Sequence, residues 1–386
     1  MPLNQGQENY YVDRGLTPLP QPHLTGMKLQ EDVSINDFVL NRIDEYGVVW
    51  VCTDIQGWWT IPTPEIPELS RGWGDGSYDV KGRFAARNIT LEGVFLTPDP
   101  SLVAAARNRL IEAINLVYSG GWLKTSESPV KAAYVRLSGD PEIQTVNARG
   151  RTEFSIGLRA ADPLKYEWYD LNAEGFRSTE ILCKSVTPAR TGSGSINNSG
   201  NYKTQPTLTI QGPIVGPAYI DNVTNSETIT ISGTLRAQTS KNITQRSLTD
   251  NIATITTSTA HGLFVGDLVT ISGLGAPYDG TEKLILEVVG TQSTSTSFRI
   301  EAFGSNQANS GVSGTLSYGP DVLEIDTYNR QVYLNGQYSG ARTKLDVYNE
   351  WVSLSPGNNV INFRDDGAPS ASAAKLTVDY RSAWLA

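Results

Sequence analysis

At 386 residues the chain is too long for one ordinary core, so two or three domains are expected. Hydrophobic residues at 39% and charged residues at 18%, with Gly, Ser, Thr and Asn abundant, describe a folded, rather polar, mostly β protein. A formal charge of −9 without any basic run argues against a general nucleic-acid binder, whose affinity for phosphate backbones depends on clustered Lys and Arg.

Residues 1 to about 35 are Pro-, Gln- and Asn-rich without periodicity and read as an irregular arm. Their start, MPLNQGQENYY, has neither the basic opening nor the apolar centre of a signal peptide. No stretch approaches the roughly 20 apolar residues that a spanning helix needs. The expectation is a product made in the cytoplasm and soluble until assembled, with no membrane insertion.

Strand-like runs begin at Phe38: FVLNRI, Gly47 as punctuation, VVWVCTDI, then WWTIP. The first two runs are expected to pair as a hairpin across Glu45-Tyr46-Gly47. Cys52 lies in an apolar run and Cys183 far away, so neither a disulfide framework nor a zinc site is expected; a buried inert thiol fits Cys52 best. Trp58 and Trp59 could stack on a sugar ring, but alternation along a strand turns at least one of them inward. Gly72 to Asp79 lacks the later bidentate Glu of a calcium loop and reads as a glycine-rich turn before the alternating strand Arg87 to Phe95.

One helix is expected from about Pro100 to Tyr118. Asp99 can cap it, Pro100 suits its first turn, and Val103, Ala106, Leu110, Ile114 and Val117 share a face, with Gly120-Gly121 as its stop. Strands return as GWLKTS, VKAAYVRLSG, IQTVNA and RTEFSIGLRAADPLKY, and a first boundary falls around residue 172. TEILCKSVTPA starts new strands, and Arg190 to Asn201 reads as an exposed Gly/Ser/Asn loop. Strands at Pro206 to Ile210, Ala218 to Val223 and Glu227 to Leu235 follow. A Thr/Ser/Gly-rich segment at 240–314 carries IATITTS, DLVTISG, EKLILEVVG and SFRIEAF, and the last strands lie between Lys375 and Trp384.

Between Val322 and Phe363 the pattern is one of tight hairpins. Leu323 and Ile325 alternate with Glu324 and Asp326, Asn329-Arg330 breaks the run, and Val332 and Leu334 resume it. Asn335-Gly336 then suits both centres of a type I′ turn. Trp351 and Leu354 precede Pro356-Gly357, and Val360, Ile361 and Phe363 form another strand. In order, IDTYNRQVYLNG and W-x-x-L-x-P-G-N-N-x-I-x-F resemble the closing half of the carboxy-terminal domain of siphophage distal tail proteins.

The strand and helix order of the first 172 residues is similar to the amino-terminal, tail-tube-like domain of that family. The sub-pattern T-S-T-A-H-G-L-x-x-G-D-x-V-x-I-S-G, with Tyr278-Asp-Gly280, resembles a small β-module inserted in phage structural proteins. The implied organisation has three parts. Residues 1–172 form a ring-forming tail-tube-like β-sheet domain with one helix and an amino-terminal arm. Residues 173–239 and 315–386 form a galectin-like or jelly-roll β-sandwich, and 240–314 is a small all-β insert joined between Leu235 and Val322.

Chemical sites are weighed and set aside. His261 has only His23 as a fellow histidine, which leaves no triad or metal cluster to build and favours a turn role. Arg364-Asp365-Asp366-Gly367 reads as a turn before it reads as an ion site. Glu324 and Asp326 are the wet face of a strand, without the separation or raised pKa of a glycosidase pair. Trp351 reads as core. No catalytic, cofactor-binding or metal residue is assigned, and no enzyme is expected.

The resemblance implies a structural virion protein at the distal end of a long non-contractile tail. In it, a sixfold ring of this chain joins the tail tube protein to the tail-tip hub or baseplate; the tape-measure protein is a further candidate partner, and specific nucleic-acid binding is not expected. Binding of a host-surface glycan by the sandwich or the insert stays open, because fold does not license function. The alternative is a carbohydrate-binding module protein in which Trp58, Trp59 or Trp73 stacks on host-surface glycans; the missing signal peptide speaks against a secreted form. A tail tube protein is a third reading, for which the added sandwich and insert are superfluous.

Overall fold

The computed structural model describes residues 32–386 except 37, 117, 147–149, 169–175, 185–189, 293, 339–340, 347–348 and 368–373. Most of the expected arm, including His23, lies outside these residues, as do Val117 and the residues around 172. The chain divides into two compact units: Met1–Arg177 with Asn197–Thr204 and Arg381–Ala386, and Ser178–Ile196 with Gln205–Tyr380.

In the first unit the hydrogen-bonded order of strands is Phe38–Val39, Val33–Ile35, Gly121–Thr125, Lys131–Leu137, Arg151–Ala160, Arg87–Leu96, Val49–Gln56 and Arg42–Ile43. Alternation dictates it: in Arg151–Ala160 the inward residues Phe154, Ile156 and Leu158 are buried while Arg151 and Glu153 are exposed. The run FVLNRI is two short strands, because Asn41 sits at φ 64 and turns the chain between them. Only Arg42–Ile43 pairs with Val49–Gln56; Phe38–Val39 pairs with Val33–Ile35, so structure already begins at Val33 inside the expected arm.

The single α-helix among the described residues, α1, runs Val103–Ile114 and is preceded by a 3-10 turn, Pro100–Leu102. Asp99 caps that turn by accepting the Ser101 amide at 2.8 Å. Ala106, Leu110 and Ile114 lock α1 into a core with Trp50, Phe95 and Ile156. The helix ends well before Gly120-Gly121, which corrects the expected stop. Asn115 leaves helical geometry at ψ 66, and Leu116 turns into the core instead of continuing the helical face.

The second unit holds a β-sandwich and a barrel. One sheet orders Arg177–Cys183, Ala374–Tyr380, Thr207–Gln211, Val322–Asp326 and Gln331–Leu334; the other orders Arg190–Asn198, Gly357–Asp365, Ala218–Asn222 and Glu227–Ile231. Their inward residues, among them Ile210, Leu323, Ile325, Val378, Ile220 and Phe363, form one core. The hairpin of Val322–Asp326 with Gln331–Leu334 has the expected register, and Asn335 and Gly336 take φ 51 and 76 as a type I′ turn demands. After that turn the ladder is a single bridge, Leu334 with Gln337. Trp351 packs partly buried against the sandwich core.

Arg190 to Asn201 is not an exposed loop. Residues Arg190–Asn198 are a strand whose glycines are there for close approach. A Cβ on Gly192 would overlap the Leu182 carbonyl, and one on Gly194 would come within 2.7 Å of Ile181 Cγ1.

The barrel closes in the order Thr239–Thr249, Ile252–Thr257, Ser297–Glu301, Gly280–Val289, Leu268–Ser272 and Gln307–Tyr318, with its own core around Ile255, Phe298, Ile300 and Leu316. Its first and last strands begin and end slightly outside 240–314 and pair with each other from Thr239–Tyr318 onward.

Candidate interaction surfaces

Among the described residues no group of three or more His, Cys, Asp or Glu is placed to hold a metal. The residues weighed in the sequence find structural places. His261 is buried and pins a turn: its Nδ1 accepts the Leu263 amide at 3.0 Å, its own carbonyl accepts the Tyr318 hydroxyl at 2.6 Å, and burial lowers its pKa. Burial pushes the thiols of Cys52 and Cys183 up to about 12 and about 11, which leaves them protonated and unreactive. Asp326 is the acceptor that closes its own hairpin, taking the Tyr328 and Asn329 amides at 3.0 and 2.9 Å. Asp365 is buried against Arg190. Trp58 is buried and Trp59 is 49% exposed, but both sit past the end of Val49–Gln56, so a turn rather than strand alternation separates them.

Two arrangements escaped the sequence reading because their members are far apart in the chain. In the first unit, Arg87 donates to the carbonyls of Pro163, Gly57, Thr60 and, by a short contact, Leu385. Beside it Lys165 is wholly buried. Its ammonium lies 3.9 Å from Glu127 Oε1 and faces the rings of Trp58 and Trp59 at 4.8 and 5.4 Å. Burial drives the Lys165 pKa down to about 8, with the positive Lys131 and Arg87 adding to the fall and Glu127 opposing it.

In the second unit, Arg236 joins barrel to sandwich. Its guanidinium forms a fork on Asp267 of the barrel at 2.6 and 2.9 Å and holds Asp321 Oδ1 at 2.7 Å. The Arg236 amide also donates to Asp321 Oδ2 at 2.9 Å, and Asn335 of the type I′ turn donates to Asp321 Oδ1 at 3.0 Å. Burial works against the guanidinium charge, but the two carboxylates outweigh it and raise the Arg236 pKa; burial likewise opposes Asp321, yet its donors hold its pKa below the ordinary carboxylate range. The result is a rivet of one guanidinium between two carboxylates, net −1, where the barrel leaves and re-enters the sandwich. A cleft of about 510 Å³ opens beside it, lined by Phe264, Val265, Leu268, Tyr318, Gln337 and Lys344.

This hairpin-and-joint region is also where a family signature falls. Residues 281–384 match the family profile of the siphovirus-type tail component, C-terminal domain. Over these residues the chain is similar to a siphovirus-type tail component. The resemblance to siphophage distal tail proteins, whose place is the virion tail, is supported in the segment that carried it. The matched stretch opens inside the barrel strand Gly280–Val289, crosses the Asp321 rivet and takes in the hairpins and the strand Ala374–Tyr380. That profile is described by a place in the tail.

The chain is also similar to a solved structure, the Dit protein of phage SPP1, described as a paradigm of the hub adsorption apparatus in phages that infect Gram-positive hosts. The two share 12% identity over 90% of this chain and 97% of the other, with a TM-score of 0.43, too low for the overlay to decide anything further. Comparison with curated proteins gave no match.

Proposed function

We propose that the protein is a distal tail protein that acts by shape, as one segment of a closed ring joining the tail tube to the tail-tip hub or baseplate. The observation that carries this reading is the siphovirus-type tail-component match over 281–384, on a chain with a separate β-rich first unit. Residues 1–172 form the ring, 173–239 with 315–386 form the sandwich, and 240–314 is an insert in the sandwich. Cyclic closure requires each copy to offer two different complementary faces.

The chain makes and breaks no bond in this role. The acidic balance of −9 suits a bore through which DNA slides without sticking. Partners are other copies of this chain, the tube protein and the hub protein, with the tape-measure protein meeting the same bore.

Size-exclusion chromatography with light scattering tests the reading. Six copies of a 42.0 kDa chain give a particle of about 250 kDa. A monomer at every concentration that is retained on a host polysaccharide column would instead favour the glycan-binding alternative, for which the fully exposed Trp73 is the best-placed ring.

A further inference from the structure

The strands Val49–Gln56 and Arg87–Leu96 pair directly, from Val49 with Leu96 to Gln56 with Thr90. The chain between them is nevertheless no simple turn. Residues 57–86 run out as an arm with two small ladders, Pro64–Glu65 with Arg83–Phe84 and Leu69–Ser70 with Ser77–Tyr78. All residues from 63 to 79 are exposed. An isolated two-stranded ribbon is marginal in water, and this one also holds Ile66, Leu69, Trp73 and Tyr78 in solvent, with Trp73 at 105% exposure. Leu69 and Tyr78 are cross-strand partners and so share a face. At its base Arg83 pairs with Glu65, and over the whole arm four carboxylates face three cations, but the tip, residues 66–80, carries Glu68, Asp75 and Asp79 against Arg71 alone.

The same unit carries a second surface of opposite character. On strand Gly121–Thr125 the side chains of Trp122 and Lys124 alternate outward from buried Gly121, Leu123 and Thr125. Trp122 meets the exposed Tyr134 and the half-buried Trp168, each with ring centroids 5.3 Å apart. Lys124 lies 3.9 Å over the Trp168 ring and Arg381 4.7 Å over Trp122. Arg136 flanks the ladder, donating to the Tyr118 carbonyl at 2.7 Å. This is an aromatic face interleaved with cations. In the strand order it is separated from Val49–Gln56, where the arm leaves, by Lys131–Leu137, Arg151–Ala160 and Arg87–Leu96.

We infer that the arm of one subunit lies on the aromatic and cationic face of the next copy of this chain. The tip of the arm is apolar and acidic, the face aromatic and basic, and both belong to one unit, so repetition of the chain matches each with its complement. A ring needs such a heterologous pair, and this inference rests on the ring reading above.

The test uses full-length protein and follows the concentration at which the ring falls apart. Glu68→Lys with Asp79→Lys on the arm, or Lys124→Glu with Arg136→Glu on the face, should each raise that concentration at least about tenfold, and combining the four should restore most of the loss. If the native chain never forms a ring, the ring reading falls and takes this inference with it. If the native ring forms and neither pair of reversals shifts it, this inference alone is overturned.

A second readout does not depend on charge reversal. The emission difference between the native protein and Trp73→Phe should be blue-shifted and shielded from acrylamide in the ring and open to quencher in the dissociated subunit. A Trp73 signal that stays open in assembled rings, or that is shielded only when polysaccharide is added, would contradict the inference.

Discussion

Arg190 and Asp365, 175 residues apart in sequence, form an ion pair inside the sandwich with both side chains fully buried. They sit on adjacent strands of the four-stranded sheet, and Arg190 also donates to the Pro213 carbonyl at 2.8 Å while Asp365 accepts the Gly367 amide at 2.9 Å. Removing one member strands the other charge without water. Arg190→Met is expected to cost about 3–5 kcal/mol, whereas Arg190→Met with Asp365→Leu should recover most of that loss. Urea midpoints of the sandwich transition check the asymmetry; a double variant as unstable as the single one would show that the pair does not act as a unit.

The Arg236 rivet carries a pH signature. Asp321 has a folded pKa below its unfolded value, so its contribution is present above the ordinary carboxylate range and is lost as pH falls through the folded value. The amides of Arg236 and Asp321, which donate to Asp321 Oδ2 and the Arg236 carbonyl, should hold their hydrogen-exchange protection at neutral pH and lose it in acid before the barrel core does. Arg236→Met should remove about 1–3 kcal/mol of that local protection at pH 7, the side chain being partly exposed.

Lys165 works in the opposite sense. Its folded pKa of about 8 lies below the ordinary lysine value of 10.5, so between those limits the unfolded chain binds the extra proton and stability rises with pH. Below about 8 the ammonium is charged in both states and its burial is a standing cost. Lys165→Met is expected to stabilise the first unit by about 1–3 kcal/mol at pH 7, with the gain shrinking toward pH 10. Paired denaturation curves of the two proteins across that range give the difference directly. A gain that grew with pH would contradict the burial argument.

Local alternation made much of the fold legible. The hairpins at Val322–Asp326, the Asn335-Gly336 turn, the strands of the first unit and the inward face of α1 all follow from spacing that the chain declares within a dozen residues. Arg190–Asn198 was not legible, because its glycines answer to Leu182 and Ile181 on another strand. The barrel strands Thr239–Thr249 and Gln307–Tyr318 were hidden for a related reason. Both are mostly polar on both sides and gain their order by pairing with each other.

These glycines yield a contrast. Gly192→Ala would drive a methyl group into the Leu182 carbonyl and should cost about 1–3 kcal/mol. Gly72→Ala, whose Cβ would meet nothing within 4 Å, should be close to neutral. Thermal melts of the two variants side by side decide it, and equal effects would mean the close approach is not a constraint.

The Arg236 joint and the surroundings of Lys165 were illegible for a stronger reason. Arg236, Asp267 and Asp321 are ordinary polar residues in sequence, as are Lys165, Glu127 and Arg87; only the closing of the barrel and of the first sheet brings each set together. The surfaces of the proposed ring contact are half legible: the Gly72 to Asp79 turn shows in sequence, its exposure does not.

The most direct measurement of the central claim is the rotational symmetry of purified full-length particles in class averages from electron microscopy. The account predicts closed rings of a single size with an open central channel, most simply sixfold. Isolated subunits, or open filaments that never close, would contradict it.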